Sequence, residues 1–279
     1  MRIRRVAILI DGGFFLKRLP KIVSEDRRDG AEKVAGIIKL MCRNHIRYLT
    51  KCLKDQWQDH VYRIFFYDAV PYDGKAHHPF ENKSVDFSKT DTALFRSELF
   101  DRLRKQRKVA LRLGKVTREG DWSPPAEKVR RILATRDWLT AVDFTGLEDG
   151  GKLALSKVQV EQAKSLQRKW AEIRNEDVTL GLRQKGVDMR IGLDIASITL
   201  KRQADTIILV SGDSDFVPAA KLARREGVEF ILDPLWQSVN DDLFEHIDGL
   251  QSGLWKPGTQ PPAAVLKGVE AEDDNGTDN

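Results

Sequence analysis

The chain has 279 residues, with 47 Lys and Arg against 42 Asp and Glu, and only two cysteines. That length can bury a sizeable core, and two cysteines exclude both a disulfide-dense scaffold and a His/Cys metal cluster. No long apolar span is present, so neither a transmembrane helix nor a signal peptide is expected, and the protein is expected to be cytoplasmic.

In chain order, Val6-Ala7-Ile8-Leu9-Ile10 is a continuous apolar run of the kind that forms a strand covered on both faces. It stops at Asp11-Gly12-Gly13, which puts Asp11 at a strand's carboxyl end. An amphipathic helix is predicted from about Ala31 to Leu53, with Cys42 and Cys52 nearly on one face, reduced and at least partly buried. Ile64-Phe65-Phe66-Tyr67 reads as a second strand ending at Asp68, before Pro71. His77-His78 lies in a polar Gly-Lys-Pro segment, is expected to be an exposed loop, and has no acid or cysteine at a metal-binding spacing.

Thr90 to Lys108 and Ser156 to Ile173 have helical patterns, and Val109 to Val116 is strand-like. Ser123-Pro124-Pro125 and Gly146 to Lys152 read as loops. Further on, Leu180-Gly181-Leu182 leads into Arg183-Gln184-Lys185-Gly186-Val187-Asp188, followed by a predicted helix over Ile191 to Leu200 that carries Asp194. Asp188 and Asp194 bracket the start of that helix.

The most informative stretch comes next. Ile207-Ile208-Leu209-Val210 ends in Ser211-Gly212-Asp213-Ser214-Asp215-Phe216, and Pro218 to Arg225 reads as the following helix. Ligands of open α/β sheets bind in the crevice at the carboxyl ends of strands. Glycine permits the sharp turn, and Ser214 or Asp215 is expected to cap the helix. Taken alone, the motif fits a helix cap with a spare acid equally well. Four strand ends offering acids weigh against that reading, because like charges gathered in one crevice repel unless a cation or protons neutralise them.

Ile10-Asp11-Gly12-Gly13-Phe14, Lys185-Gly186-Val187-Asp188, Asp194 and Ser211-Gly212-Asp213-Ser214-Asp215-Phe216 with Pro218 together resemble the NYN domain of the LabA-like group, within the PIN-like nuclease superfamily. Leu243 followed by Asp248 is similar to the closing helix of such domains. The resemblance covers roughly residues 1–70 and 178–250. It implies a three-layer α/β/α fold with a central, mainly parallel sheet, one or two Mg²⁺ or Mn²⁺ ions, and hydrolysis of RNA phosphodiester bonds. On that basis Asp11, Asp188 and Asp213 are expected as core metal ligands, with Asp215 as a further ligand. Asp215 and Asp194 are the second-ligand or water-positioning acids, and Asp68 is a weaker candidate. Arg183, Lys185, Ser211 and Ser214 are the expected substrate-binding residues. Arg183 and Lys185 can either hold phosphate or pair with the acids. Residues 1–255 are read as the domain, with a partly helical insertion at about 118–176, and 256–279 as a disordered acidic tail.

Independently of the resemblance, hard divalent cations prefer carboxylate oxygen and do not need histidine or thiolate, and this chain supplies acids. Five acids and two bases from Lys256 onward leave residues 1–255 with a net charge of +8, which suits a phosphate backbone. The basic runs Arg102 to Lys108 and Lys128-Val129-Arg130-Arg131 read first as exposed helix faces and second as patches that grip a nucleic-acid strand. Trp122, Trp138, Trp170 and Trp236 are expected to be packed inside, with stacking on unpaired bases as the alternative. RNA is the expected partner and no membrane is; a homo-oligomer is compatible with the sequence but not required by it. Two other classes fit less of it. A haloacid-dehalogenase-type phosphohydrolase would use the Asp213-Ser214-Asp215 spacing but leaves Asp11 and Asp188 unexplained, and a non-catalytic RNA-binding module would keep the fold without turnover.

Overall fold

The computed structural model describes residues 4–143, 153 and 155–259. The loop expected at Gly146 to Lys152 and the tail from residue 260 onward lie outside the described residues. In chain order the elements are β1 (Val6–Asp11), α1 (Gly12–Arg18), α2 (Glu25–Arg28), α3 (Gly30–Thr50), β2 (Val61–Val70), β3 (Lys75–His77), β4 (Ser84–Asp86), α4 (Asp91–Arg104), β5 (Val109–Ser123), α5 (Ala126–Leu133), α6 (Arg136–Thr140) and α7 (Lys157–Ala171). They continue with β6 (Thr179–Lys185), α8 (Val187–Leu200), β7 (Thr206–Val210), α9 (Val217–Arg225), β8 (Glu229–Asp233), α10 (Asp241–Phe244) and β9 (Gly249–Leu250).

Seven strands form one sheet in the order β6-β5-β2-β1-β7-β8-β9. The β1–β2, β1–β7, β2–β5, β7–β8 and β8–β9 pairs are all parallel. Alternation along β1 explains the layers. Val6, Ile8 and Ile10 pack with Phe15 of α1, Val34, Ile38 and Met41 of α3, and Leu99 and Leu103 of α4. Ala7 and Leu9 pack on the other face with Ile191, Ile195 and Ile198 of α8 and Ala220 and Ala223 of α9. A strand buried on both faces is expected to be apolar along its length, and β1 is up to Asp11 while β7 is from Ile207 to Val210, after a buried Thr206.

The chain divides into two compact units: residues 1–73, 87–116 and 184–279, and residues 74–86 and 117–183. The first contains the layers just described. The second contains the antiparallel β3–β4 pair, α5, α6 and α7, and the outer segments of β5 and β6. Within it Ser156 closes α7 with a capping box to Gln159, α5 and α7 pack together, and Lys128 bonds the Asp177 carboxylate and the Glu172 carbonyl oxygen.

Several sequence expectations change. Asp68 lies inside β2, opposite Leu113 of β5, because the strand continues to Val70. β5 runs on through Ser123, and α8 begins at Val187, four residues before the expected helix, so Asp188 occupies its first turn and Asp194 its middle. His78 is buried: its ring bonds the Asn175 carbonyl at 3.2 Å and meets the Trp122 ring edge-on at 4.8 Å, while His77 is exposed. Trp170 and Trp236 are largely exposed instead of packed inside.

Candidate active site

Parallel pairing sets the strand ends side by side. Ile10 of β1 stands opposite Val210 of β7, and Asp11 opposite Tyr67 of β2. Asp11 therefore leaves the sheet beside Ser211, the residue after β7. Its Oδ1 accepts from the Phe14 amide at 3.0 Å, capping α1, and its Oδ2 accepts from the Ser211 hydroxyl at 3.4 Å. Ser211 is wholly buried, and its Oγ also accepts from the Asp213 amide at 3.3 Å. One hydroxyl thus ties the first acid to the loop that carries the next two.

In that loop Asp213 caps the single 3-10 turn Ser214–Phe216, its Oδ1 accepting from the Asp215 amide at 3.0 Å, whereas α9 starts after Phe216 with no side-chain cap from Ser214 or Asp215. Asp213, Ser214 and Asp215 are all exposed. Gly212 lets the loop pass this close, since a Cβ there would stand 2.7 Å from a Phe14 ring carbon and 3.0 Å from the Gln237 side chain. Asp188 is presented by the first turn of α8, which Gly186 starts from a left-handed backbone (φ 75°) that favours glycine.

The acids affect one another electrostatically. Burial pushes the Asp11 carboxyl up to about 6, helped by the charges of Asp188 and Asp68 and opposed by the Phe14 and Ser211 hydrogen bonds. Asp188 is raised too, by desolvation first and then by Asp213 and Asp215, although it faces solvent. The charge of Asp188 on α8 is thus felt at Asp11, and those of Asp213 and Asp215 are felt at Asp188. Among the described residues no three Asp, Glu, His or Cys side chains stand close enough to grip a bare ion.

The remaining predicted residues are placed differently. Asp194 Oδ2 accepts from the Tyr67 hydroxyl at 2.8 Å and from Arg112 Nε at 3.0 Å, while Oδ1 faces Arg112 at 3.4 Å. Asp68 is fully buried, with Oδ1 bonded to Arg96 at 2.5 Å and to the Ala69 amide at 2.8 Å. Burial raises its carboxyl against the Arg96 charge, and its Oδ2 has no hydrogen-bond partner among the described residues. Lys185 is exposed on β6. Arg183 belongs to the second unit, where it pairs with Glu119 at 3.5 Å.

Arg96, Arg112 and Tyr67 escape a motif search because they meet their acids only after folding, across 28, 82 and 127 positions of sequence. Gln184 also approaches the Asp11 loop: a Cβ on Gly13 would lie 3.8 Å from its Oε1. Asp233 is another strand-end acid, at the end of β8. It is fully buried and accepts from the Leu235 and Gly253 amides and from His45 Nε2, at 2.8–2.9 Å, so it binds chain to chain.

A mainly parallel sheet with helices on both faces is consistent with the three-layer fold of PIN-like proteins. The family model of the NYN domain, a branch of the PIN-like superfamily, matches residues 126–248. The match includes Asp188, Asp194, Asp213 and Asp215, and stops short of the N-terminal strand that ends in Asp11. NYN domains are in general nucleases. No curated protein and no solved structure matches the chain.

Proposed function

We propose that the protein is a metal-dependent ribonuclease, of the LabA-like branch of NYN proteins, that hydrolyses RNA phosphodiester bonds in the cytoplasm. Asp11, Asp188, Asp213 and Asp215 would hold Mg²⁺ or Mn²⁺. The observation that carries this reading is the buried Ser211, which joins the Asp11 carboxylate to the backbone of the Asp213 loop, with the Asp188 charge felt at Asp11. Residues of about 118–176 we read as an insertion into the NYN domain.

The donor set fits the ion. It consists of carboxylate oxygens, the preference of hard divalent cations, and a cation would offset the cost of ionising Asp11, which burial raises first and the Asp188 and Asp68 charges raise further. Since no three of the described side chains converge to grip a bare ion, an ion held here would keep several waters and take substrate phosphate oxygens into its shell, as magnesium does. When bound, such an ion stabilises charge on the phosphoryl oxygens and lowers the pKa of an attacking water.

The chain's own residues do the positioning. The Phe14 amide and Ser211 fix the rotation of the Asp11 carboxylate, and Ser211 fixes the backbone at Asp213. Asp213 in turn holds the amide of Asp215. Asp188 stands on a separate helix, so the acids can engage a phosphate from two directions.

The test is incubation of a labelled mixed RNA pool with Mg²⁺ or Mn²⁺, beside the Asp213→Asn variant and a chelator control. Cleavage by the wild type alone is expected. RNA binding without cleavage would instead identify a non-catalytic RNA-binding module.

A further inference from the structure

The second unit contains an apolar cleft of about 330 Å³, lined by Phe80, Trp122, Val129, Leu133, Trp170 and Ile173 together with Pro79 and Pro124. Its floor is fixed. Ile173 and Val178 are buried, and Trp122 is braced edge-on by His78. Its walls are open: Trp170 is 53 % exposed, Phe80 50 % and Leu133 63 %. Two large aromatic rings standing half in water beside a packed apolar floor leave a flat apolar solute as the natural occupant.

The charge around the cleft narrows the choice. The two helices that wall it, α5 and α7, carry seven basic residues (Lys128, Arg130, Arg131, Lys157, Lys164, Arg168 and Lys169) against Glu127 and Glu161. Lys128 and Arg131 are already committed to Asp177, Glu127 and Glu172. Arg130, Arg168 and Lys169 form no ion pair among the described residues, and the last two immediately precede Trp170. A flat apolar face linked to a polyanion describes an unpaired nucleotide in a strand.

We propose that this cleft is a subsite for single-stranded RNA, in which unpaired bases stack on Trp170 and Phe80 while Arg130, Arg168 and Lys169 face the phosphates. The inference rests on the reading of the protein as an RNA-acting enzyme, but it concerns binding, not cleavage. Stacking explains tolerance of base identity, because every base has a π-face, and it gives the strand an anchor that does not depend on the carboxylates.

The full chain, held in chelator so that nothing is cleaved, is titrated by fluorescence anisotropy against a labelled 12-mer of uridine and against an abasic ribose-phosphate 12-mer. Trp170→Ala and Phe80→Ala are each expected to weaken the uridine strand about tenfold and leave the abasic strand unchanged, with Trp170→Phe retaining most of the affinity. Arg168→Glu should weaken both strands. Because Trp170 and Phe80 are half exposed, thermal unfolding of these variants should match the wild type. Unchanged uridine affinity in both aromatic variants, or no uridine binding by the wild type, overturns the proposal. So does loss of self-association in Trp170→Ala with RNA affinity intact, which would make the cleft a protein-docking face. Base-dependent binding without metal-dependent cleavage would sustain the subsite and sink the nuclease reading.

Discussion

The Tyr67 hydroxyl donates to Asp194 Oδ2 at 2.8 Å, joining the carboxyl end of β2 to the middle of α8, and Arg112 of β5 closes on the same carboxylate at 3.0 Å. A carboxylate held by a phenol and a guanidinium has little left to offer a cation, so this acid chiefly fixes α8, and with it Asp188, against the sheet. Tyr67→Phe should cost about 1–2 kcal/mol of stability, a typical loss for a hydrogen bond to a charged group, and leave the affinity for Mn²⁺ within a few-fold. Denaturant unfolding and a metal titration read the two effects separately. A collapse of metal affinity with unchanged stability would show that Asp194 is a ligand after all.

Ser211 touches both Asp11 and the Asp213 backbone, so its removal should loosen two acids at once. Ser211→Ala is expected to lower metal affinity and cleavage about 10- to 100-fold, the usual effect of losing a residue that orients ligands. Asp213→Asn should lose more. Parallel assays of cleavage against metal concentration test the order; a Ser211→Ala enzyme as active as the wild type at every metal concentration would contradict it.

Asp11 makes stability depend on pH. Its carboxyl ionises near 3.8 when free and near 6 in the folded protein, so the folded state holds the proton more tightly. That contribution is complete below about pH 4 and is lost as pH rises through 6. Asp11→Asn should therefore stabilise the metal-free protein above pH 6, by at most about 3 kcal/mol, and make little difference near pH 4. Divalent metal should stabilise only the wild type, and less so as pH falls below 6, because the proton competes for the same oxygens. Thermal melts from pH 4 to 8, with and without Mn²⁺, provide the check.

Gly212 sits where a Cβ would meet the Phe14 ring at 2.7 Å. Gly212→Ala should cost about 1–3 kcal/mol by overpacking and push the Asp213 loop away from Asp11. Combined with Phe14→Leu, which frees the space, part of the lost cleavage should return. A single variant with wild-type stability would refute the packing account.

The main strands were legible because a strand covered on both faces must be apolar throughout, and Val6 to Ile10 and Ile207 to Val210 are such runs. The loop motif around Asp213 was legible because a strand, a glycine turn and a helix follow one another within a dozen residues. The cap on α9 is absent because the 3-10 turn Ser214–Phe216 separates Asp213 and its neighbours from the first turn of that helix, a spacing set by backbone direction. Asp68, expected at the end of its strand, lies two residues inside β2, because nothing before Pro71 marks how long β2 stays paired with β5. Trp170 was expected inside because a large aromatic ring normally is; its exposure depends on how α5 and α7 pack, which no local pattern encodes.

By itself, then, the sequence determined that β1 and β7 are doubly buried and that acids follow them, since both features follow from side-chain polarity over short stretches. Only the tertiary structure decided which acids remain available. Arg112 and Tyr67 occupy Asp194, Arg96 covers one oxygen of Asp68, and His45 takes up Asp233. Whether a carboxylate meets a cationic side chain or open water depends on partners brought together by strand order and helix packing, and chemically identical acids are sorted by that encounter alone.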